Sequence, residues 1–127
     1  MSAAPIGVVV ADDRQMVREG FRAILDSQPD IEVVGEAGDG VEAVRLCQLL
    51  RPQVCLLDIR MPEMDGLEAT RQIRQLTTIT QPHIIAMTAN AMEDDREICL
   101  AAGMDDYVSK PIRVNELVGA LLKAERK

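Results

Sequence analysis

Tryptophan is absent, and the 127 residues include one phenylalanine and one tyrosine. Such a chain offers almost no ring surface to lay against a flavin or another flat cofactor. Cysteine is scarce: Cys47, Cys55 and Cys99 are odd in number, far apart and set among apolar neighbours. Without a CxxC pair they suggest neither a disulfide framework nor a zinc site, and they read as buried thiols. The single histidine, His83, opens an apolar stretch and reads as structural, not as a group that shuttles phosphate. Basic residues fall short, with 14 Lys and Arg against 21 Asp and Glu and a net charge of -7. The bulk field therefore repels a polyphosphate backbone, and no direct nucleic-acid partner is expected. No apolar run nears the roughly 18 residues of a membrane span, and MSAAPIGVVVADD lacks the basic start of a signal peptide. A cytoplasmic location, with no membrane partner, is the expectation.

What is present is an ordinary globular composition, 47% hydrophobic and 28% charged, at the length of one domain. Residues 1–127 are read as that single domain, with no helix-turn-helix or other output domain after it. Short continuous apolar runs alternate with three-to-four spacing, the signatures of doubly covered strands and amphipathic helices. Strands are expected at Ile6–Ala11, Ile31–Ala37, Val54–Asp58, His83–Met87 and Asp106–Ser109. Helices are expected over about 14–27, from Ala43 to Leu50, over 66–76, over 92–102 and from about Arg113 onward. The first should bury Met16, Val17, Phe21, Ile24 and Leu25, the second Ala43, Val44, Cys47 and Leu50, and the last Val114, Leu117, Val118, Leu121 and Leu122. Five strand–helix repeats with short loops imply an α/β, doubly wound parallel sheet, a (βα)5 three-layer sandwich with helices on both faces.

In such sheets the binding crevice lies beyond the carboxyl ends of the strands. Those ends carry Asp12 and Asp13, then Asp58, then Thr88, then Lys110 with Pro111. Taken singly, each has a plain structural role; the acid pair, for instance, could simply cap the first helix. Together they put three carboxylates on one rim, where a pair about 4 Å apart repels by roughly 4 kcal/mol at an effective dielectric near 20. A hard divalent cation with oxygen ligands, Mg²⁺, is the best complement. With its charge screened, an aspartate can attack phosphorus, and Asp58, on the central apolar strand, is the best-fixed candidate. Thr88 and Lys110 would hold the equatorial oxygens of the group in transfer, and the small Ala89 would leave a path to them.

At this point VVVADDRQMVREGF, LLDIRMPEMDGLEA, AMTANA and DDYVSKPI together resemble the receiver domain of two-component response regulators over essentially the whole chain. The resemblance implies a flavodoxin-like sheet of order 2-1-3-4-5 and phosphoryl transfer from a histidine kinase, or a phosphotransfer domain, to Asp58. It assigns metal ligation to Asp13, Asp58 and the backbone carbonyl of Arg60 with Asp12 assisting, the switch hydroxyl to Thr88 and phosphate pairing to Lys110. It also assigns an aromatic switch to Tyr107, a cis peptide to Pro111 and a tight turn to Gly66. Arg60 and Asn90 would flank the attacking water. A phosphoryl group on Asp58 adds charge that draws Thr88 and Lys110 inward, lets Tyr107 turn in and alters affinity for an output partner or a second copy.

Residues up to about Arg74 resemble LuxR-like response regulators, whereas the stretch HIIAMTANAMEDDREICLAAGMDDYVSKPIRVNELV resembles receivers attached to hybrid histidine kinases. An engineered or recombined chain with a junction between Arg71 and Pro82 is the corresponding expectation. Three other readings compete with a switching phosphoacceptor that is not itself an enzyme. An aspartyl phosphatase would want a second acid two positions after Asp58, where Arg60 stands. A flavin carrier would want a hydroxyl-rich loop in place of ADDRQM. A recombined receiver-like fold could also be folded yet lack a signalling role.

Overall fold

The computed structural model describes residues 5–88, 93–109 and 114–125. Five strands and five helices alternate: β1 (Ile6–Ala11), α1 (Gln15–Asp26), β2 (Ile31–Ala37), α2 (Gly40–Leu50), β3 (Val54–Asp58), α3 (Gly66–Arg74), β4 (His83–Thr88), α4 (Glu93–Ala102), β5 (Asp106–Ser109) and α5 (Val114–Glu125). The sheet order is β2-β1-β3-β4-β5, and every pairing is parallel. This is the flavodoxin-like arrangement expected from the sequence.

The two faces follow from the period of two along each strand. Val8, Val10, Val54, Leu56, Ile85 and Met87 join Phe21 and Leu25 of α1 and Leu117 and Leu121 of α5 in one core cluster. The alternate residues Val9, Ala11, Cys55, Leu57, Ile84 and Ala86 join Ala43 and Cys47 of α2, Ile73 of α3 and Cys99 of α4 in the other. The central strands are apolar on both sides because both sides are covered.

Helix boundaries differ from expectation by a residue or two. α1 starts at Gln15 and α3 stops at Arg74, where the following Gln75 caps two carbonyls. Two side chains assigned to the core are not in it: Met16 is 83% exposed and Leu50 43% exposed. Met16 lies in the first turn of α1, at the rim and beyond the sheet surface that receives Phe21 and Leu25; Leu50 ends α2. The side chains of Val114 and Leu122 lie outside the described residues.

Local chemistry fixes the ends. Asp39 and Asp65 cap α2 and α3 by accepting the backbone N–H groups of Glu42 at 2.9 Å and Glu68 at 2.8 Å, as helix starts require. α2 ends on Arg51 with φ 48°, a left-handed position that glycine fills without cost. β1 and β2 stay in register until Val8 pairs with Val33; a bulge then advances β2, so that Val9 pairs with Gly35. α1 lies along this strand, with Arg18 and Arg22 both paired to Glu36.

Across the far end of the sheet, Arg74 joins four partners. Its guanidinium donates to the carbonyls of Gly103 and Pro82, to Gln81 and to the carboxylate of Asp105, all between 2.7 and 2.9 Å. α3, the α3–β4 loop and the α4–β5 turn are thus held by one planar cation.

Candidate functional site

The carboxyl ends of β1 and β3 lie side by side in the sheet, with Ala11 level with Leu57, so the residues that follow them share one rim. One carboxylate oxygen from each of Asp12, Asp13 and Asp58 can be chosen so that all three atoms lie within 4.8 Å of one another. Asp12 is fully buried and Asp58 is 6% exposed, whereas Asp13 faces solvent. The cluster therefore has two fixed walls and one open side.

The two buried acids, Asp12 and Asp58, are positioned by backbone. Asp12 donates its N–H to the carbonyl of Ala37 at 3.0 Å, which extends the β1–β2 ladder by one residue. Its Oδ1 accepts the N–H of Arg14 at 2.9 Å, and its carbonyl accepts from Arg18 at 2.7 Å. Neither acid is the N-cap of α1: that residue is Arg14, whose side chain makes no capping hydrogen bond. Asp58 is the last residue of β3 and pairs with Met87 of β4. Its Oδ1 accepts the N–H of Arg60 at 3.3 Å, and Ile59 donates to the carbonyl of Met87 at 3.2 Å.

The loop after Asp58 is held close by two glycines. Gly66 donates to the carbonyl of Ile59 at 3.0 Å, and a Cβ there would sit 2.3 Å from the carbonyl oxygen of Asp58. Gly40, the first residue of α2, donates to the carbonyl of Met64 at 2.9 Å; a Cβ there would lie 2.3 Å from that same oxygen. Glu63, at the tip, has φ 65°. The loop is therefore pinned to the strand on one side and to a helix N-terminus on the other.

Thr88 ends β4 and is 4% exposed. It lies one residue beyond the level of Asp58 on the adjoining strand, and it pairs with Ser109 of β5. Tyr107, two residues earlier on β5, is half-buried against the core on the α2–α4 side. Lys110, Pro111, Ala89 and Asn90 lie outside the described residues. The structure thus brings Asp12, Asp13, Asp58, Thr88, Arg60 and Gly66 to one end of the sheet.

Two contributors escape a reading of spacing alone. Arg18 ties the β1–α1 loop to β2 by holding both the Asp12 carbonyl and, at 3.5 Å, Glu36. Gly40 meets Met64 across a gap in sequence that no periodicity reports.

Chemically, two buried carboxylates and one exposed carboxylate within a few ångströms form an all-oxygen donor set. It suits a small hard divalent cation that keeps part of its water shell. The residues present fit Mg²⁺ by number, type and charge.

The sequence profile of the response regulator receiver domain matches residues 8–122. The chain is 42% identical over 121 residues to the transcriptional regulatory protein LiaR of Bacillus subtilis, covering 95% of this chain and 56% of that protein. It thus spans little more than half of that relative's length. The signal receiver domain of the response regulator NarL from Mycobacterium tuberculosis superposes with a TM-score of 0.90 at 31% identity, covering 98% of this chain and all of that one. The receiver domain of the sensor histidine kinase PA1611 from Pseudomonas aeruginosa superposes with a TM-score of 0.86 at 36% identity, over 98% of this chain and all of the other. That structure has a magnesium ion coordinated in its active site cleft.

Proposed function

The chain belongs to the response regulator receiver domain family, and from that membership we propose that it accepts a phosphoryl group on Asp58 in a Mg²⁺-dependent reaction. The observation that carries this reading is the convergence of the Asp12, Asp13 and Asp58 oxygens within 4.8 Å at the end of a buried parallel sheet. In the transfer, a carboxylate oxygen of Asp58 attacks phosphorus and the bond from phosphorus to the donor's leaving atom breaks. The bonding pair stays on the leaving group, an imidazole nitrogen when the donor is a phosphohistidine.

Asp12, Asp13, Asp58 and the Arg60 carbonyl would hold the cation, which supplies positive charge to the developing phosphoryl oxygens. The chain's own residues do the positioning. β3 fixes the nucleophile, and Gly66 packs against its carbonyl. The Arg60 N–H orients one carboxylate oxygen of Asp58. Thr88 and Lys110 serve as donors to the transferred group, since phosphoryl transfer is catalysed chiefly by placement and charge. Tyr107 responds to the movement of Thr88.

The chain is a phosphoacceptor and not an enzyme acting on other substrates; only its own phosphorylation and dephosphorylation are catalysed. Its donor is a histidine kinase or a phosphotransfer domain in the cytoplasm, and the signal passes to an output partner or a second copy, not to nucleic acid. A recombined origin is part of the same reading. Its basis is the change of resemblance along the sequence alone, since the likenesses to a LuxR-family regulator and to a sensor-kinase receiver each run over at least 94% of the chain. A natural relative with even similarity across residues 71–82 overturns that part alone.

The test is incubation with Mg²⁺ and acetyl phosphate, followed by intact-mass measurement. Wild type should gain one hydroxylamine-labile phosphoryl group; Asp58→Asn should gain none. Equal adducts on both proteins remove Asp58 from the role, and no adduct on either refutes phosphoacceptor function.

A further inference from the structure

Cys47 on α2 and Cys55 on β3 are fully buried in the core cluster on the α2–α4 side of the sheet. Both are free thiols, and their Sγ atoms are 2.9 Å apart. That is closer than two unbonded sulfurs ordinarily rest, and only about 0.9 Å longer than a disulfide bond. Neither thiol has a part in the acidic site. We propose that Cys47 and Cys55 form a modification site, a dithiol that a peroxide-class oxidant converts to an intramolecular disulfide joining α2 to β3.

The sulfur separation suits the product. The two residues face each other across the helix–sheet interface, and closing the bond needs a sulfur movement of under an ångström. The pair is chemically unequal. The hydrogen bond with Cys55 holds the Cys47 pKa below the usual thiol value, against the opposing effect of burial. Cys55 is pushed well above that value by the same hydrogen bond, by burial and by the charge on Cys47, with Arg74 pulling the other way. Attack by either sulfur first yields the same disulfide.

The steps balance. Cys47 sulfur attacks one peroxide oxygen, the O–O bond breaks, and hydroxide leaves and is protonated, giving a sulfenic acid. That consumes the charge on Cys47, so Cys55 can lose its proton. Its sulfur then attacks Cys47 Sγ, the S–O bond breaks, and hydroxide leaves to take up the proton as water. Two thiols and one hydrogen peroxide give one disulfide and two waters, with two electrons passing from sulfur to oxygen. Entry is through local opening of the last turn of α2, which ends on the left-handed Arg51.

The experiment treats the folded protein with hydrogen peroxide, blocks remaining thiols with N-ethylmaleimide in denaturant and digests with trypsin. Trypsin does not cut before proline, so the Arg51–Pro52 bond survives and both cysteines stay on one peptide, residues 46–60. The expected result is a monomer whose peptide is two hydrogens lighter and unblocked. Dithiothreitol restores two maleimide adducts, and Cys99, equally buried, remains blockable. In Cys55→Ala, the same treatment should add oxygen to Cys47 and remove no hydrogens. Four outcomes overturn the proposal: a doubly blocked 46–60 peptide after peroxide exposure, oxidation confined to Cys99, a disulfide-linked dimer, or stable sulfinic acid on Cys47 of wild type.

Discussion

Replacing Gly66 by alanine tests how closely the loop approaches the proposed nucleophile. The added methyl would meet the carbonyl oxygen of Asp58 at 2.3 Å, its carbonyl carbon at 3.1 Å and Cα of Ile59 at 3.2 Å. All three are backbone atoms of one short segment, so no side-chain rotation relieves the clash. Restoring ordinary contact takes a backbone shift of about 1 Å. Overpacking of this kind costs about 1–3 kcal/mol, and a rigid strand end belongs at the upper limit. Alanine returns up to about 1 kcal/mol through helix propensity, which leaves a net loss of about 2 kcal/mol. For a domain of this size that lowers the melting temperature by about 8 °C.

Gly20, on α1, is the control, because a Cβ there meets nothing within 4 Å. Gly20→Ala should gain about 0.5–1 kcal/mol from the same propensity. Urea unfolding followed by circular dichroism reads both variants on one scale. The two substitutions must move in opposite directions, and Gly66→Ala must also slow adduct formation from acetyl phosphate. Should Gly66→Ala match or exceed wild-type stability while Gly20→Ala gains, the loop is not seated against Asp58 and the positioning argument fails.

Mg²⁺ at about 100 times its dissociation constant should raise wild-type stability by about 2.7 kcal/mol; Asp12→Ala should lose that increment, and an equal rise in both proteins excludes Asp12 as a ligand. Arg51→Gly relieves a left-handed residue at the end of α2 and should stabilise by about 0.5–1 kcal/mol in urea titration; a loss would mean that the Arg51 side chain makes a compensating contact. Arg74→Ala frees two carbonyls and a carboxylate and should cost about 2–3 kcal/mol. Arg74→Lys should recover less than half of it, because a point charge cannot serve a fork of acceptors; full recovery would show that charge alone matters there.

The sequence announced β1, β3 and β4 well because each is an apolar run bounded by proline or a charge. Ile6–Ala11, Ile31–Ala37 and Val54–Asp58 have their expected limits. The acidic cluster was legible for the same reason, since strand ends in a parallel sheet share a rim. Met16 and Leu50 were misplaced because hydrophobic spacing names a helix face but not where the sheet beneath it stops. The β2 bulge, the four contacts of Arg74, the seat of Gly40 on Met64 and the meeting of Cys47 with Cys55 left no periodic trace. Each depends on residues far apart along the chain, or across a helix–strand junction, arriving at one point in space.

The one-residue advance in β2 also bears on how the molecule avoids sticking to its own kind. β2 is the outermost strand on its side of the sheet. An incoming strand would find the run of free amides and carbonyls interrupted at Val34, with Glu32 exposed nearby and Glu36 held under α1 arginines. At the opposite border β5 has only four residues. Short, kinked and charged borders are poor templates for strand addition. Fibrillar or edge-to-edge growth is thereby discouraged.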